Sequence, residues 1–158
     1  MKKGIVSTPL KDVFLVNHFE QKDDRGVFIK QYSYDLKKNS SLNFIAEESF
    51  TTISKKNVLR GMHCQTGIAS HKKLITCLKG AILDVIVDIR VNSTQFNKPF
   101  SIELSDKSQQ SIYIGIGYAH GFLSLEDNTI IQYITSKSYK DELDNGVNWK
   151  SIDFDWPV

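Results

Sequence analysis

Short runs of apolar and β-branched residues, separated by Gly, Asn, Asp and Ser, recur along most of this sequence. Such runs at regular spacing predict antiparallel strands rather than helices. Helix signals are weak: we expect one short helix over residues 34–39 and a single helical turn over 141–144. The sequence therefore predicts a mostly β fold, an antiparallel sandwich or barrel. The predicted strand segments are residues 13–16, 26–29, 73–77, 81–91, 111–116 and 129–135, with a turn at Lys79-Gly80.

One long predicted strand carries charged residues at regular intervals. Within residues 82–90, alternation places Asp84, Asp88 and Arg90 on one face. The opposite face is apolar and is predicted to belong to the core; it consists of Leu83, Val85, Val87 and Ile89.

Length and charge exclude several classes of protein. A chain of 158 residues predicts one domain over residues 1–158. The net charge of +2 is small and scattered, so we expect no nucleic-acid partner. No stretch reaches the roughly eighteen apolar residues of a membrane span, and no apolar run follows the basic N-terminus as in a signal peptide. Only Cys64 and Cys77 are available for disulfides. We therefore expect a soluble, cytoplasmic protein without a membrane partner.

Three polar positions are unusual for a purely structural β domain. Arg60 lies in an apolar run, where strand alternation groups it with Met62 and places His63 on the other face. His120 lies between small residues, and Tyr133 lies within a β-branched strand. Each also has a structural interpretation: an edge or snorkelling Arg, a His that closes a turn, and a Tyr whose buried hydroxyl is hydrogen-bonded.

Metal and phosphate-loop motifs are absent from the sequence. The residues after His63 are Cys64 and Gln65, and the next histidine is His71, whereas two ligands on one strand face should be two residues apart. We therefore expect no metal site. Because no glycine spacing fits a phosphate loop, we expect Arg or Lys side chains to hold any bound phosphate.

Six short motifs follow one another along the chain: DRGVF at 24–28, VLRGMHCQ at 58–65, KLI at 73–75, DVIVDIR at 84–90, AHGF at 119–122 and GVNW at 146–149. Together, in this order, they resemble the dTDP-4-dehydrorhamnose 3,5-epimerase family, the RmlC-type epimerases of nucleotide-sugar biosynthesis. The resemblance implies a cupin-type jelly roll and a homodimer in which an N-terminal strand crosses to the partner. It also implies a nucleotide-linked 4-keto-6-deoxy sugar as substrate, no cofactor and a place in surface-polysaccharide biosynthesis (O-antigen or capsule).

The chemistry implied by the resemblance is enolate formation. The C4 ketone acidifies the protons at C3 and C5, and inversion needs a base on one face of the ring and an acid on the other. By position, the resemblance makes His63 the base, Lys73 the cation at the 4-keto oxygen and Tyr133 the acid. A neutral imidazole, with a reference pKa near 6.5, suits the role of base.

The resemblance also assigns binding roles. Arg25 and Arg60 match groups that hold the pyrophosphate, and Phe28 matches an aromatic residue near the nucleotide. The residues that match further positions lining the site are Asp84, His120 and Tyr139.

Two departures from the family pattern bear on function. In the family, a carboxylate beyond the Trp-Pro pair, here Trp156-Pro157, pairs with the base histidine; Asp84 and Asp88 are the candidates to replace it. Lys30 stands where Glu is usual, and Glu48 and Phe50 stand where Gln and Asn are usual. In the family, the Gln and Asn positions contact the thymine base. Either the nucleotide base differs, or Lys30 and Glu48 form an ion pair.

Two other functions stay open at this point. A 3,4-ketoisomerase on the same scaffold would use the same enolate but return the proton at C4. A homologue that binds the nucleotide sugar without chemistry is the second alternative. The motif around Arg60 and His63 resembles the epimerases more closely.

Overall fold

The computed structural model describes residues 4–34 and 42–158, which form thirteen strands and three short 3-10 helices. The mostly β prediction is confirmed. The 3-10 helices are Gly67–Ala69, Asp141–Leu143 and Trp149–Ser151. The strands are β1 (Ile5–Ser7), β2 (Val13–Asn17), β3 (Phe19–Asp23), β4 (Gly26–Lys30), β5 (Glu48–Ser54), β6 (Leu59–Gln65), β7 (Lys73–Lys79), β8 (Ala81–Asp88), β9 (Pro99–Ser105), β10 (Gln110–Ile114), β11 (Tyr118–Ser124), β12 (Thr129–Thr135) and β13 (Asp144–Gly146).

The two helix predictions have different outcomes. The turn expected at 141–144 is confirmed as the 3-10 helix Asp141–Leu143. Of the helix expected at 34–39, all but Tyr34 lies outside the described residues.

Two antiparallel sheets build the domain. The six-stranded sheet has the order β1-β2-β10-β7-β12-β5, and the five-stranded sheet has the order β13-β6-β11-β8-β9. Strands that are distant in sequence are neighbours in both sheets, as in a jelly roll. Among the thirteen described strands, β3 and β4 pair only with each other, as a separate ribbon.

The main core lies between the two sheets. Ile75 and Ile112 of the six-stranded sheet pack with Ile82, Ile86 and Phe122 of the five-stranded sheet. Such packing of inner faces removes apolar side chains from water and holds the sheets in a fixed relation. The cavity described below is therefore bounded by well-packed walls.

Strand β8 is buried on both faces. The predicted apolar face is confirmed, because Val85 and Val87 pack in a second cluster with Ile152 and Trp156. The aspartate face is also buried, and it shares its side of the strand with core residues Ile82 and Ile86. Its charges therefore need partners inside the protein.

Strands β6 and β11 approach each other unusually closely at two glycines. A Cβ on Gly61 would lie 2.6 Å from the Cα of Gly121, and a Cβ on Gly121 would lie 2.7 Å from the carbonyl oxygen of Arg60. Gly61 also has a φ of +112°, a conformation that favours glycine. These glycines bring the strand that carries Arg60 and His63 against the strand that carries His120.

No helix among residues 4–34 and 42–158 has the length and apolar character required to cross a membrane.

Candidate active site

A cavity of about 450 Å³ opens between the two sheets, and polar side chains from both sheets line it. Its lining includes seven residues that the sequence predicted for the site: His63, Lys73, Tyr133, Arg60, Glu48, His120 and Tyr139. Nine further residues complete it: Phe50, Thr52, Leu59, Gly61, Gln65, His71, Gly121, Phe122 and Asp144.

The two walls carry different chemistry. His63 and His120 lie on β6 and β11 of the five-stranded sheet, where they are directly paired across the strands. Lys73 and Tyr133 lie on the neighbouring strands β7 and β12 of the six-stranded sheet. An imidazole on one wall therefore faces an ammonium and a phenol on the other.

Arg60 and His63 line the same cavity, contrary to the alternation predicted from the sequence. Arg60 pairs with Phe122, and His63 pairs with His120. Between these two pairs β6 has two residues, whereas β11 has one. This bulge inserts one residue and shifts the alternation of side chains along β6. Met62, predicted on the face of Arg60, is instead buried in the cluster behind the sheet.

His63 is the most accessible of the proposed reactive groups, with 60% of its side chain exposed. Its Nδ1 lies 3.7 Å from Oδ2 of Asp144, an ion-pair distance. The candidates predicted for this carboxylate were wrong: Asp84 pairs with His120, and Asp88 with Arg90. Both lie on β8, whereas Asp144 lies on β13 beside β6.

Lys73 brings its ammonium group into the cavity. Its ammonium forms no hydrogen bond with any residue the structure describes. Burial lowers the pKa of Lys73, although Cys64, Asp144 and Asp84 nearby act in the opposite direction. A partly desolvated cation without a hydrogen-bond partner is well suited to an anionic oxygen of a ligand.

Tyr133 is held rigidly on the opposite wall from His63. Its ring stacks on Phe50, with centroids 4.7 Å apart, and meets the edge of His120 at 6.3 Å. Burial raises the pKa of Tyr133 well above its ordinary value, so the phenol keeps its proton. A protonated phenol at a fixed position can act as a general acid.

His120 and Asp84 form a buried pair beneath the cavity. His120 Nε2 lies 2.7 Å from Asp84 Oδ2, and both side chains are almost fully buried. The alternative that His120 closes a turn was wrong, because it lies in the middle of strand β11. Asp84 Oδ1 has no hydrogen-bond partner within the described part of the chain.

The ion pair between Lys30 and Glu48, one of the two alternatives drawn from the sequence, does not form within this chain. Glu48 accepts a hydrogen bond of 2.8 Å from the backbone N–H of Tyr139, at the cavity. Lys30 lies on the β3–β4 ribbon, where its ammonium is 5.9 Å from the ring centre of Phe19. The alternative, a difference in the nucleotide base, stays a prediction.

Four predicted binding residues are not among those that line the cavity: Arg25, Phe28, Lys30 and Asp84. Asp84 lies on β8, paired with His120, and the other three lie at or on the β3–β4 ribbon. Arg25 pairs with Asp23 through a contact of 2.6 Å, and Phe28 is 56% exposed. The ribbon presents them away from this chain's own core.

Asp144 was not predicted as a site residue, because only the pairing of β13 with β6 brings it to His63. Phe50, at a position that contacts the nucleotide base in the family, does line the cavity, on β5. Arg60 was predicted, and its Nε donates a hydrogen bond of 3.0 Å to Ser54 Oγ, which fixes its position.

The described residues contain no group of three or more His, Cys, Asp or Glu side chains placed to hold a metal ion. The expectation that the protein uses no metal stays a prediction.

Comparisons with known proteins point to one family. A sequence model described as dTDP-4-dehydrorhamnose 3,5-epimerase matches residues 7–158. The enzyme of that name from Escherichia coli (strain K12) is 37% identical, over 98% of this chain and 85% of the relative.

Solved structures share the fold over nearly the whole chain. The dTDP-4-dehydrorhamnose 3,5-epimerase from Bacillus anthracis str. Ames, with TDP and PPi bound, is 30% identical, with a TM-score of 0.92 over 98% of this chain and 90% of that one. A dTDP-6-deoxy-D-glucose-3,5-epimerase from Legionella pneumophila Philadelphia 1, in complex with dTDP-4-keto-L-rhamnose, is 26% identical, with a TM-score of 0.92 over 98% and 84%. The predicted cupin-type jelly roll is confirmed.

Proposed function

The chain belongs to the dTDP-4-dehydrorhamnose 3,5-epimerase family, and we propose that it inverts C3, C5 or both of a nucleotide-linked 4-keto-6-deoxy sugar. The observation that carries this proposal is the division of reactive groups between the cavity walls. A base lies on the five-stranded sheet, and an acid and a cation lie on the six-stranded sheet.

The proton transfers follow from that division. His63 removes a proton from the carbon next to the ketone, and the electron pair moves onto the C4 oxygen to give an enolate. The Lys73 ammonium stabilises this oxygen anion, which a preformed cation in a partly desolvated site does effectively. Tyr133 then delivers a proton to the opposite face of the same carbon, which inverts the centre. The phenolate regains its proton from solvent, and the imidazolium loses one.

This chemistry needs no cofactor, and we include that in the proposal. The ketone of the substrate accepts the electron pair itself, so an acid, a base and a cation are sufficient. All three are protein side chains in the cavity.

We propose that Arg60 and Arg25 hold the pyrophosphate. Arg60 lies in the cavity of its own chain, and its guanidinium is anchored by Ser54. Arg25 lies at the tip of the ribbon, so we propose that it reaches the cavity of a partner subunit in a homodimer, together with Phe28 and Lys30. The exposed apolar side chains of the ribbon support this, since such side chains are usually covered by a partner. They are Phe19, Val27, Phe28 and Ile29.

We also propose a cytoplasmic location. Cys64 and Cys77 are both free and buried, as is usual in a reducing compartment.

The test of the reaction is proton NMR of dTDP-4-keto-6-deoxyglucose incubated with the protein in deuterated water. We expect the C3 signal, the C5 signal or both to disappear with the wild type, and to persist with His63→Ala. Asp153→Asn is the matched control, because Asp153 is exposed and does not line the cavity.

The other outcomes identify the alternatives. Transfer of the proton to C4 with formation of a 3-keto sugar would establish a ketoisomerase. Tight binding, measured by calorimetry, without exchange in wild type at high enzyme concentration would establish a binding protein and overturn the proposal. Light scattering tests the dimer, which requires twice the mass of one chain.

A further inference from the structure

We propose that Asp144 is the positioning residue of His63: its carboxylate holds the Nδ1–H tautomer and so leaves Nε2 free to take a proton. This inference rests on the proposed role of His63 as the base. The carboxylate comes from β13, a three-residue strand at the edge of the five-stranded sheet.

The backbone brings the two residues together. In the pairing of β13 with β6, Asp144 lies opposite Gln65 and Gly146 lies opposite His63. Residues in such a diagonal relation on neighbouring strands are within reach of each other's side chains. The paired partner of His63 is a glycine, so no intervening side chain separates the imidazole from Asp144.

The Asp144 carboxylate is held from two sides. Its Oδ1 accepts a hydrogen bond of 3.1 Å from Gln65 Nε2, and its Oδ2 accepts one of 3.1 Å from the Tyr139 hydroxyl. Gln65 is fixed in turn, because its Oε1 accepts a hydrogen bond of 3.1 Å from the N–H of Lys140. The carboxylate is therefore oriented before any ligand binds, with Oδ2 toward His63.

A carboxylate oxygen near one ring nitrogen decides which nitrogen of a neutral histidine carries the proton. Oδ2 lies 3.7 Å from Nδ1, slightly beyond a hydrogen bond, and 60% of the imidazole side chain is exposed. Contacts of this kind commonly tighten when substrate binds. The carboxylate also stabilises the imidazolium that forms once His63 has taken a proton.

The other carboxylates near the cavity have different partners. Asp84 is bound to His120, and Glu48 accepts the N–H of Tyr139. Among the residues that the structure describes, Asp144 is the carboxylate within ion-pair distance of His63.

The test combines three variants with two measurements. Asp144→Asn keeps the size of the side chain, but its amide can donate to Nδ1 and so favours the wrong tautomer. Asp144→Glu keeps the carboxylate, and Asp153→Asn removes a surface charge from the C-terminal segment as a control. The measurements are steady-state kinetics and the ¹⁵N chemical shifts of the His63 ring nitrogens, which report the tautomer directly.

For Asp144→Asn we expect kcat to fall about 10²-fold with little change in KM, and the ring proton to move from Nδ1 to Nε2. Asp144→Glu should recover kcat to within about tenfold of wild type, since a carboxylate again faces Nδ1. Asp153→Asn should match wild type in both measurements.

An unchanged tautomer together with unchanged kcat in Asp144→Asn would overturn the inference. A loss of kcat without a change of tautomer would also overturn it, because that outcome indicates a merely structural role. The tautomer needs no turnover to be measured. A tautomer that responds to Asp144 in a protein without epimerase activity would therefore refute the proposed function and leave this inference standing.

Discussion

Two aspartates on strand β8, Asp84 and Asp88, are both completely buried, and their surroundings differ. Both carboxylate oxygens of Asp88 are hydrogen-bonded, Oδ1 to the Nε and backbone N–H of Arg90 and Oδ2 to Arg90 Nη2 and Ser93. Asp84 has one partner, His120, and its other oxygen has none among the described residues. One strand thus holds an incomplete charge network at its middle and a completed one at its end.

The cations near these aspartates differ in the same way. Arg90 pairs with Asp88, and its guanidinium carbon lies 4.5 Å from the ring centre of Tyr118. The charge of Arg90 is therefore balanced by groups within the fold. Lys73, near Asp84, has no hydrogen-bond partner in the described chain and faces the cavity. Polar groups in a native cavity whose hydrogen bonds are not all made within the protein are available to a ligand. Polar groups whose hydrogen bonds are all made within the protein stabilise the fold.

Removal of Lys73 should produce the largest effect. In Lys73→Met we expect kcat to fall about 10³-fold, because the enolate oxygen loses its stabilising cation. The free energy of unfolding should not decrease, since the ammonium forms no hydrogen bond that the variant loses. Kinetics and urea unfolding measure the two quantities.

Lys107→Met is the control, because Lys107 is exposed and does not line the cavity. A Lys73→Met variant that unfolds more easily but turns over normally would show that Lys73 belongs to a structural network like that of Asp88.

Substitution of Asp88, at the end of β8, should have the opposite effect. Burial alone would raise the pKa of Asp88, but its hydrogen bonds from Arg90 and Ser93 outweigh burial and lower it. The carboxylate therefore stabilises the fold above its unfolded-state pKa of about 3.9, and this contribution disappears as the pH falls through the lower native pKa.

In Asp88→Asn we expect the free energy of unfolding at pH 7 to fall by about 2 kcal/mol, with unchanged kcat. Below about pH 4, the stability of the variant should also decline less on acidification than that of the wild type. Chemical unfolding at pH 7 and pH 3 measures both effects. A loss of kcat in a folded variant would contradict the distinction between Asp84 and Asp88.

The smallest effect concerns His71, a buried residue of the cavity wall. Burial, with a contribution from the Lys73 ammonium, lowers the pKa of His71, and the Ala69 carbonyl lies 3.0 Å from its Nδ1. The native state holds the neutral ring, while the unfolded state takes up a proton below about pH 6.5. Stability should therefore decline from pH 6.5 downward, until the native pKa is reached.

His71→Gln cannot titrate, so its stability should fall less between pH 7 and pH 5. The difference in slope cannot exceed about 1.4 kcal/mol per pH unit for one proton. Parallel stability curves for wild type and variant would mean that His71 is protonated equally in the native and unfolded states.

Local sequence patterns predicted six of the thirteen described strands, and they predicted the site unevenly. The segment 129–135 predicted β12 to the residue, because a β-branched run between turn residues has few alternatives. The bulge in β6 was not predictable, since it arises from pairing with β11, and it put Arg60 on the same side as His63. Asp144 was not predicted as a site residue because its hydrogen-bond partner Gln65 is distant in sequence. Alternation reports one strand at a time, and a site depends on which strands become neighbours.

The central claim is that the acid and the base act from opposite walls of the cavity. Tyr133→Phe removes the proposed acid and keeps the ring that stacks on Phe50. With dTDP-4-keto-6-deoxyglucose in deuterated water, NMR of this variant should show deuterium entering at the reactive carbon without inversion, because His63 still removes a proton and returns a deuteron to the same face. Inversion at the wild-type rate in Tyr133→Phe would contradict the account.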